Sequence, residues 1–434
     1  MKHFYLPGVQ NRLRPLFMKF TIPAFCLLFL AGFGMARAQD EQRAPQDEII
    51  TDFGIDEYLA VPKFTLKIGV QTLSGAKATF TGRGSISSFQ PPSDITTPNI
   101  TRTYHDGTVL ADNSPVTFTT KNVDGTDNVY LGPVTPDGYT NNWAYLSANS
   151  VRPDGNMDFH SYAVDMADPG THNKKAPTSL GVDINLERDL GKITKNIEWK
   201  LVFGGSLNDI RSHTSDTISA SVTTLTDTYL VNLNGHTLQA PPYSGPSQST
   251  VPRVDENGVP VLDTSGSQYV DYVDSTVYLG NVPLSRTTTL ITNGFVTDNW
   301  AVKGAYFTFR AGPAFNFRIT EHLHADLGFG LALMYAGTQY TVEEIYVPDT
   351  ADPLTTTAQN DESKLLVGYY VNATLQYDFT DKAGFYAGAV YQTGASYTQT
   401  ATLDDTATGS TASYKALVDL SALQGFRMGM TFKF

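Results

Sequence analysis

The residues of this chain that could carry acid–base chemistry are two histidines and a nearby carboxylate, His322, His324 and Asp326. A histidine held beside a carboxylate can act as the general base that activates a nucleophile. No serine stands near them in a recognisable nucleophile motif, and the other histidines are scattered without the spacing of metal ligands. The sequence therefore predicts no catalytic residue, no cofactor and no metal site, and it predicts that the chain is not an enzyme. His324 is interpreted as a hydrogen-bonded interior residue.

A larger set of charged residues stands at alternate positions within apolar segments, and its positive and negative members nearly balance. Side chains at every second position of a strand share one face. A desolvated charge without a partner is unfavourable, so these charges are expected to pair or to stay hydrated. The pattern predicts a cross-linked network of Lys67, Asp183, Glu187, Glu198, Lys200, Arg310, Arg318, Asp326, Asp378, Arg427 and Lys433. Near balance favours a polar plug over an ion-selective pore, in which one sign would dominate.

The elements that must position these charges are eight segments in which apolar and polar residues alternate. They lie at about 64–71, 180–187, 197–204, 307–318, 323–333, 365–379, 385–396 and 426–434. Long or medium connections alternate with short ones, as in barrels that have tight turns at one end and long loops at the other. The predicted fold is all-β: a transmembrane antiparallel up-and-down β-barrel of about 8 strands, with lipid outside and a polar lumen.

The ends of the chain and its charge indicate export. A basic lead, an apolar run from about Ile22 to Phe33 and the small-x-small sequence Ala36-Arg37-Ala38 predict a signal peptide at 1–38, with translation starting at Met1 or Met18. A periplasmic lead at 39–62 and the barrel at 63–434 follow. The predicted extracellular loops cover about 74–177, 208–302, 342–363 and 401–413. The formal net charge of -13 argues against a nucleic-acid partner.

The two longest loops repeat one another. Tyr-Leu-Gly-x-Val is followed in both by Gly, an aromatic residue and Asn-Trp-Ala, which marks Tyr130, Gly132 and Trp143 in one copy and Tyr278, Gly280 and Trp300 in the other. The favoured interpretation is two matching supports, in which each tryptophan packs at the rim or in an interfacial aromatic belt. The alternative is a twofold binding platform.

The signal peptide, the paired long and short connections and the terminal strand Met430-Thr431-Phe432-Lys433-Phe434 resemble those of Gram-negative outer-membrane β-barrel proteins. The resemblance implies residence in the cell outer membrane, in contact with its lipid. It also implies that Met430, Phe432 and Phe434 form the signal that the barrel-assembly machinery recognises. The long loops match no family pattern.

Three functions are consistent with this sequence. The leading hypothesis is a barrel that displays large surface loops for structure, adhesion or capture of an extracellular ligand. The alternative is a porin-like or gated channel for small solutes, for which a wider lumen would be needed. A remote alternative is a barrel enzyme that modifies lipid, with His324 as its base. The sequence names no ligand, solute or oligomeric state.

Overall fold

The structure, a computed structural model, describes residues 64–121, 126–262, 266, 268–349 and 351–434. The predicted signal peptide at 1–38 and the lead at 39–62 lie outside the described residues.

The described residues form strands joined by turns and short connections, with one 3-10 turn at Ala148–Ser150. The strands in chain order are β1 (Phe64–Ser74), β2 (Lys77–Ser87), β3 (Arg102–Thr103), β4 (Gly107–Val109), β5 (Thr117–Lys121), β6 (Asp127–Leu131), β7 (Tyr139–Thr140), β8 (Trp143–Tyr145), β9 (Met157–Met166), β10 (His172–Lys175), β11 (Ser179–Thr194), β12 (Ile197–Tyr229), β13 (Val231–Asn232), β14 (Tyr243–Ser244), β15 (Gln248–Pro252), β16 (Val270–Asp274), β17 (Tyr278–Gly280), β18 (Ser285–Arg318), β19 (Leu323–Tyr346), β20 (Leu354–Asp378), β21 (Ala383–Gln392), β22 (Ser396–Asp405), β23 (Ser410–Asp419) and β24 (Leu423–Lys433). Within this part of the chain, no helix has the length and apolar character needed to cross a membrane.

Eight of the described strands pair in a ring. The order is β1-β11-β12-β18-β19-β20-β21-β24, and β24 pairs again with β1, with Ile68 opposite Met430. All these pairings are antiparallel, which confirms the predicted all-β class. The eight members of the ring are the eight segments in which the sequence alternates.

Several ring strands are much longer than the sequence analysis predicts. β12 and β18 pair from Ile197 opposite Phe317 to Thr228 opposite Ser285. The predicted loop at 208–302 is therefore a strand at both ends, and so is the loop at 342–363. The predicted loop at 401–413 belongs to the β22–β23 hairpin, and the loop at 74–177 contains β2 and β9. The sequence pattern predicts loops in these stretches because Thr, Ser and Asp replace the apolar residues on one face.

The sheet continues past the ring through β9, β2, β23 and β22, which follow β12 in the order of hydrogen bonding. β2 continues from β1, and β23 leads into β24, so the added strands prolong members of the ring. We call this region, together with the distal parts of β12, β18, β19 and β20, the upper wall. The tight turns of the ring, such as the one between β18 and β19, lie at the opposite end.

Along the same strands, the apolar side chains change from the outer face of the sheet to the inner face. In the proximal part of β19, Leu331 points outward with 68% of its surface exposed, whereas Asp326 is buried. In the distal part, Tyr340 and Val342 are buried, and polar residues such as Thr341 occupy the outward positions. The outward apolar residues form a continuous band, here called the apolar band. Its members include Ile68, Val70, Leu180, Val182, Ile184, Phe307, Leu327, Phe329, Leu331, Leu333, Leu365, Val367, Val371, Leu375, Phe385, Phe426, Met428, Met430 and Phe432.

Two apolar clusters fill the interior beyond the band. The upper core lies inside the upper wall and includes Phe80, Trp300 and Tyr340. The cap lies at the far ends of β12 and β9 and is built from both long loops. Its buried members are Tyr104, Val109, Trp143, Tyr145, Met157, Phe159, Tyr229, Tyr243, Val277 and Leu279. The predicted loops therefore contain a hydrophobic core of their own.

Candidate functional site

The interior at the level of the apolar band holds a chain of ion pairs across the ring. Lys67 on β1 lies 2.7 Å from Glu187 on β11 and 2.7 Å from Asp326 on β19. Lys200 approaches Glu187 at 3.4 Å, and Asn316 donates to the other oxygen of Asp326 at 2.6 Å. Each carboxylate thus meets a cation from another strand. The charges that the sequence separates by up to 259 residues become direct partners.

A second group of charges surrounds Asp183. Arg310 binds one of its oxygens, and Arg427 lies 3.6 Å from the other. The two guanidinium groups also lie over tyrosine rings, Arg310 at 5.9 Å from Tyr370 and Arg427 at 5.8 Å from Tyr386. Such stacking is favourable for the weakly hydrated guanidinium group.

The end of the ring near the tight turns holds the third group. Asp378 accepts from Lys433 at 2.5 Å and lies 3.2 Å from Nε2 of His324. The sequence analysis places His324 beside Asp326, but the structure pairs it with Asp378 of the neighbouring strand β20. Glu198 and Arg318 lie at the same end, 3.8 Å apart, with half of the Arg318 side chain exposed.

These three groups, together the lumen network, fill the ring. Lys67 and Asp183 have no exposed surface, and Arg310 has 1%. A continuous aqueous path would leave such side chains accessible to water. Opposite charges close together in a medium of low polarity attract strongly, so they cross-link the strands from inside.

Beyond the network, the structure reveals two buried carboxylates that the sequence analysis does not single out. Asp298 on β18 stands directly opposite Glu344 on β19, and the two side chains are 1% and 2% exposed. Oδ1 of Asp298 and Oε1 of Glu344 have no hydrogen-bond partner among the described residues. Glu344 accepts one hydrogen bond, from Thr356 at 2.9 Å.

The surroundings of this acid pair favour the protonated form of both carboxyl groups. Burial raises the pKa of Asp298 to about 7, with a further contribution from the charge of Asp216. Burial likewise raises the pKa of Glu344 to about 8. The basic side chain of His172 stacks on Trp300 at 4.7 Å and lies 3.2 Å from Asp216, the residue opposite Asp298 on β12. Burial thus moves the titration of both carboxyl groups toward neutral pH.

The two copies of the loop motif occupy different places. Trp143 lies in the cap and donates to the carbonyl of Val277 at 2.7 Å, whereas Trp300 lies in the upper core against Phe80. Both tryptophans are 1% exposed, so neither lies at a rim or in an interfacial belt. The second copy falls on β18 itself, which turns its tryptophan toward the interior.

The motif halves pair across copies. Strand β7, in the second half of the first copy, pairs with β17, in the first half of the second, with Gly280 opposite Tyr139. Tyr278 is buried in the same short strand. Tyr130 donates to the carbonyl of Tyr272 at 3.3 Å, and a Cβ at Gly132 would lie 2.5 Å from the ring of Phe118. The repeat thus joins the two loops into one cap.

The residues of the predicted assembly signal lie on the outer face of β24. Met430, Phe432 and Phe434 are exposed, and Phe434 stacks on Phe64 of β1 at 6.1 Å between ring centres. The first and last strands therefore meet through both backbone and side chains. Recognition of these residues by an assembly machinery stays a prediction.

Comparison with solved structures finds outer-membrane proteins. The chain is similar to the outer membrane protease OmpT from Escherichia coli, with 11% identity over 86% of this chain and 98% of that chain and a TM-score of 0.28. A FadL homologue from Pseudomonas aeruginosa has 9% identity over 86% of this chain and 90% of its own, with a TM-score of 0.17. An outer-membrane expressed OmpT of Vibrio cholerae has 10% identity over 87% and 99%, with a TM-score of 0.10. No family model and no curated protein sequence matches the chain.

One prediction of the sequence analysis is wrong in the light of these comparisons. The chain was predicted not to be an enzyme, yet a protease stands among the structures to which it is similar. The exclusion of an enzyme is therefore withdrawn, and the function must be derived from the geometry of this chain.

Proposed function

We propose that this protein is an outer-membrane β-barrel whose lumen is closed by its own side chains and which presents a folded head for binding at the cell surface. The head consists of the upper wall and the cap. The observation that carries the proposal is the exchange of chemistry along β12, β18, β19 and β20: apolar outside and charged inside in one half, polar outside and apolar inside in the other.

The apolar band supports the membrane part of the proposal. Leu331, Leu365 and Phe426 each expose about two thirds of their surface on the outer face of the ring. Exposure of so much apolar area to water is unfavourable by roughly 25 cal/mol per Å², whereas lipid removes this penalty. Ring pairing satisfies the backbone of every strand at this level, which a membrane interior requires.

The lumen network supports a closed barrel over a channel. An eight-stranded ring has an interior that side chains can fill. Here Lys67 is buried and bound to Glu187, and Arg310 is buried and bound to Asp183, which leaves no wide passage between them.

The distal half supports a function at the surface. Strand β12 is 33 residues long, and about 10 tilted residues suffice to cross a bilayer. The remaining two thirds carry polar outward residues and end at the cap, which has a buried aromatic core. A head with its own core holds a binding surface in a fixed shape.

An epitope tag inserted at the turn Asn234–Gly235 tests the orientation. Both residues have positive φ in a turn of the cap and lie far from the apolar band. An antibody should label this tag on intact cells. A matched tag in the tight turn at 320–322 should be labelled only after the outer membrane is permeabilised. Labelling in the opposite order would overturn the proposed orientation.

Conductance of the purified protein in a planar bilayer tests the closed lumen. The filled ring predicts no steady current above the background of small plugged barrels. Steady openings of hundreds of picosiemens would contradict the proposal and favour the channel alternative.

A further inference from the structure

A groove with a volume of about 620 Å³ lies on the upper wall, where β2 and β23 meet the edge of β9. This volume is typical of small-molecule sites. Its floor includes the backbone of Gly82 and Gly84. Gly82 has a φ of +121°, and a Cβ there would lie 2.4 Å from the carbonyl oxygen of Ser413. The positive φ and the close contact with the paired strand therefore favour glycine at position 82.

Two cations face this groove without acidic partners. Arg83 and Lys415 are exposed on the outward face, and neither forms an ion pair or a hydrogen bond within the described residues. Arg83 is opposite Ser413 and Lys415 is opposite Thr81, so the two cations are diagonal neighbours. Diagonal neighbours on one sheet face lie about 7–8 Å apart. Long side chains at that distance can reach one anion together.

Several other exposed cations of the described chain are paired. Lys77 binds Asp419, Arg211 binds Asp209 and Lys364 binds Glu362. In a protein with 43 acidic and 30 basic residues, acidic partners are abundant. Within the described residues, Arg83 and Lys415 stay unpaired despite this abundance, and both line the same groove, so they are available to bind one anion.

The rest of the lining is rich in hydroxyl groups. Thr81, Ser85, Thr411 and Ser413 face the groove, and Ser85 and Thr411 exchange a hydrogen bond of 3.2 Å. Asp165 supplies one carboxylate. None of the ten lining residues is aromatic or bears a large apolar side chain. Hydroxyls and one carboxylate suit a ligand with many hydroxyl groups, and Arg and Lys suit a ligand that also carries negative charge.

We propose that this groove binds an acidic saccharide, with Arg83 and Lys415 on its carboxylate or phosphate and the hydroxyl-bearing residues and Asp165 on its hydroxyl groups. This inference rests on the proposed exposure of the head at the cell surface and names the ligand class of that head. The saccharide belongs either to a foreign polysaccharide or to lipopolysaccharide of the cell's own membrane. Both share this chemistry.

Calorimetric titration of the full-length protein in detergent micelles tests the proposal. The probes are trigalacturonic acid, its uncharged methyl ester, and purified rough lipopolysaccharide. We expect the acid to bind at least ten-fold more tightly than the ester, and less tightly as salt is raised. If lipopolysaccharide binds and the acid trisaccharide competes with it, the ligand comes from the cell's own membrane. If the trisaccharide binds and lipopolysaccharide does not, the ligand is a foreign polysaccharide.

Matched variants assign the binding to the groove. Arg83→Ala with Lys415→Ala should weaken binding at least ten-fold, and Ser413→Trp should block the groove without changing its charge. Arg211→Ala with Lys303→Ala is the control, because these residues form an exposed Arg and Lys pair opposite one another on β12 and β18. The control should bind within two-fold of the unmodified protein.

The proposal is overturned if neither acidic probe binds, if ester and acid bind equally, or if the control loses as much affinity as the groove variants. Failure of the groove leaves the tag and conductance results untouched. Failure of the tag experiment, by contrast, removes the surface location while the calorimetric result stands.

Discussion

The interior at the level of the apolar band, here the lower half, and the interior of the upper wall, here the upper half, surround their buried carboxylates with different groups. In the lower half every buried carboxylate of the lumen network meets a cation, as Asp326 meets Lys67. In the upper half Asp298 and Glu344 lie among aromatic rings with no cation bound to them in the described chain. The same strands, β18 and β19, supply both kinds of site.

The difference follows from what surrounds each half. With the proposed lipid around the lower half, the lumen is the only place for polar side chains, so charges are numerous there and must neutralise one another. With the proposed water outside the upper wall, its interior can be apolar, and burial there favours the protonated forms of Asp298 and Glu344. In this proposal the interior is polar where lipid lies outside the wall and apolar where water lies outside it.

Removal of one member of the lumen network should have the largest effect. Lys67→Met leaves Glu187 and Asp326 without their shared cation, and loss of one partner of a buried ion pair costs about 3–5 kcal/mol. We expect this loss in the free energy of unfolding, measured by urea titration in micelles. Arg318→Met is the control, because the Arg318 pair is long and half-exposed, and it should change stability by less than about 0.5 kcal/mol. Equal effects would show that the charges do not hold the ring.

Truncation within the cap should have a large but local effect. Trp143→Ala removes a buried ring and its hydrogen bond to Val277, a change worth about 3–5 kcal/mol in a packed core. The cap should become sensitive to protease while the ring keeps its heat-resistant form on gel electrophoresis. Leu146→Ala, at an exposed position just beyond β8, should leave both unchanged. Unfolding of the ring in Trp143→Ala would show that the cap and the ring form one cooperative unit.

A lysine on the outer face should distinguish lipid from water along a single strand. Val371 and Thr357 both point outward on β20, the first in the apolar band and the second beyond it. Val371→Lys should make folding into vesicles less favourable by about 2–4 kcal/mol, because it places a charge in hydrocarbon. Thr357→Lys should change it by less than about 0.5 kcal/mol. A similar cost at both positions would place Thr357 in lipid too.

The pH dependence of stability should reveal the acid pair. The pKa values of Asp298 and Glu344, about 7 and about 8 in the folded protein, lie above the values near 4 of an unfolded chain. The folded state therefore binds more protons between these limits, so the free energy of unfolding should fall as the pH rises from about 4 to about 8.

The double variant Asp298→Asn with Glu344→Gln isolates this contribution. It lacks both titrating groups, so its melting temperature should change less between pH 5 and pH 9. At pH 9 it should exceed the unmodified protein in stability by about 1–3 kcal/mol, the usual penalty of an unsatisfied buried polar group. An unchanged pH profile in the double variant would assign the dependence to other groups.

Much of the lower half can be predicted from the sequence. The residues that alternate from Leu323 to Leu333 and from Phe426 to Phe434 already define strands, because a period of two is a local pattern. The same pattern indicates which charges point inward, since Lys67, Arg310 and Arg427 follow the polar parity. A local period shows the face of a side chain but not the strand that it will meet.

The tertiary structure alone decides the partners and the head. Lys67 meets Asp326 only because ring pairing brings residues 259 positions apart onto one level. The distal strands cannot be predicted from the sequence because their outer face is covered by threonines and serines, and loops have the same composition. Their apolar face turns inward, which only the tertiary structure shows. Asp298 looks like any polar residue of such a loop, and only the strand register that sets it opposite Glu344 on the inner face of the upper wall makes it a buried acid. The sequence thus determined the period and the polarity of the strands, and the long-range pairing determined what those polarities enclose.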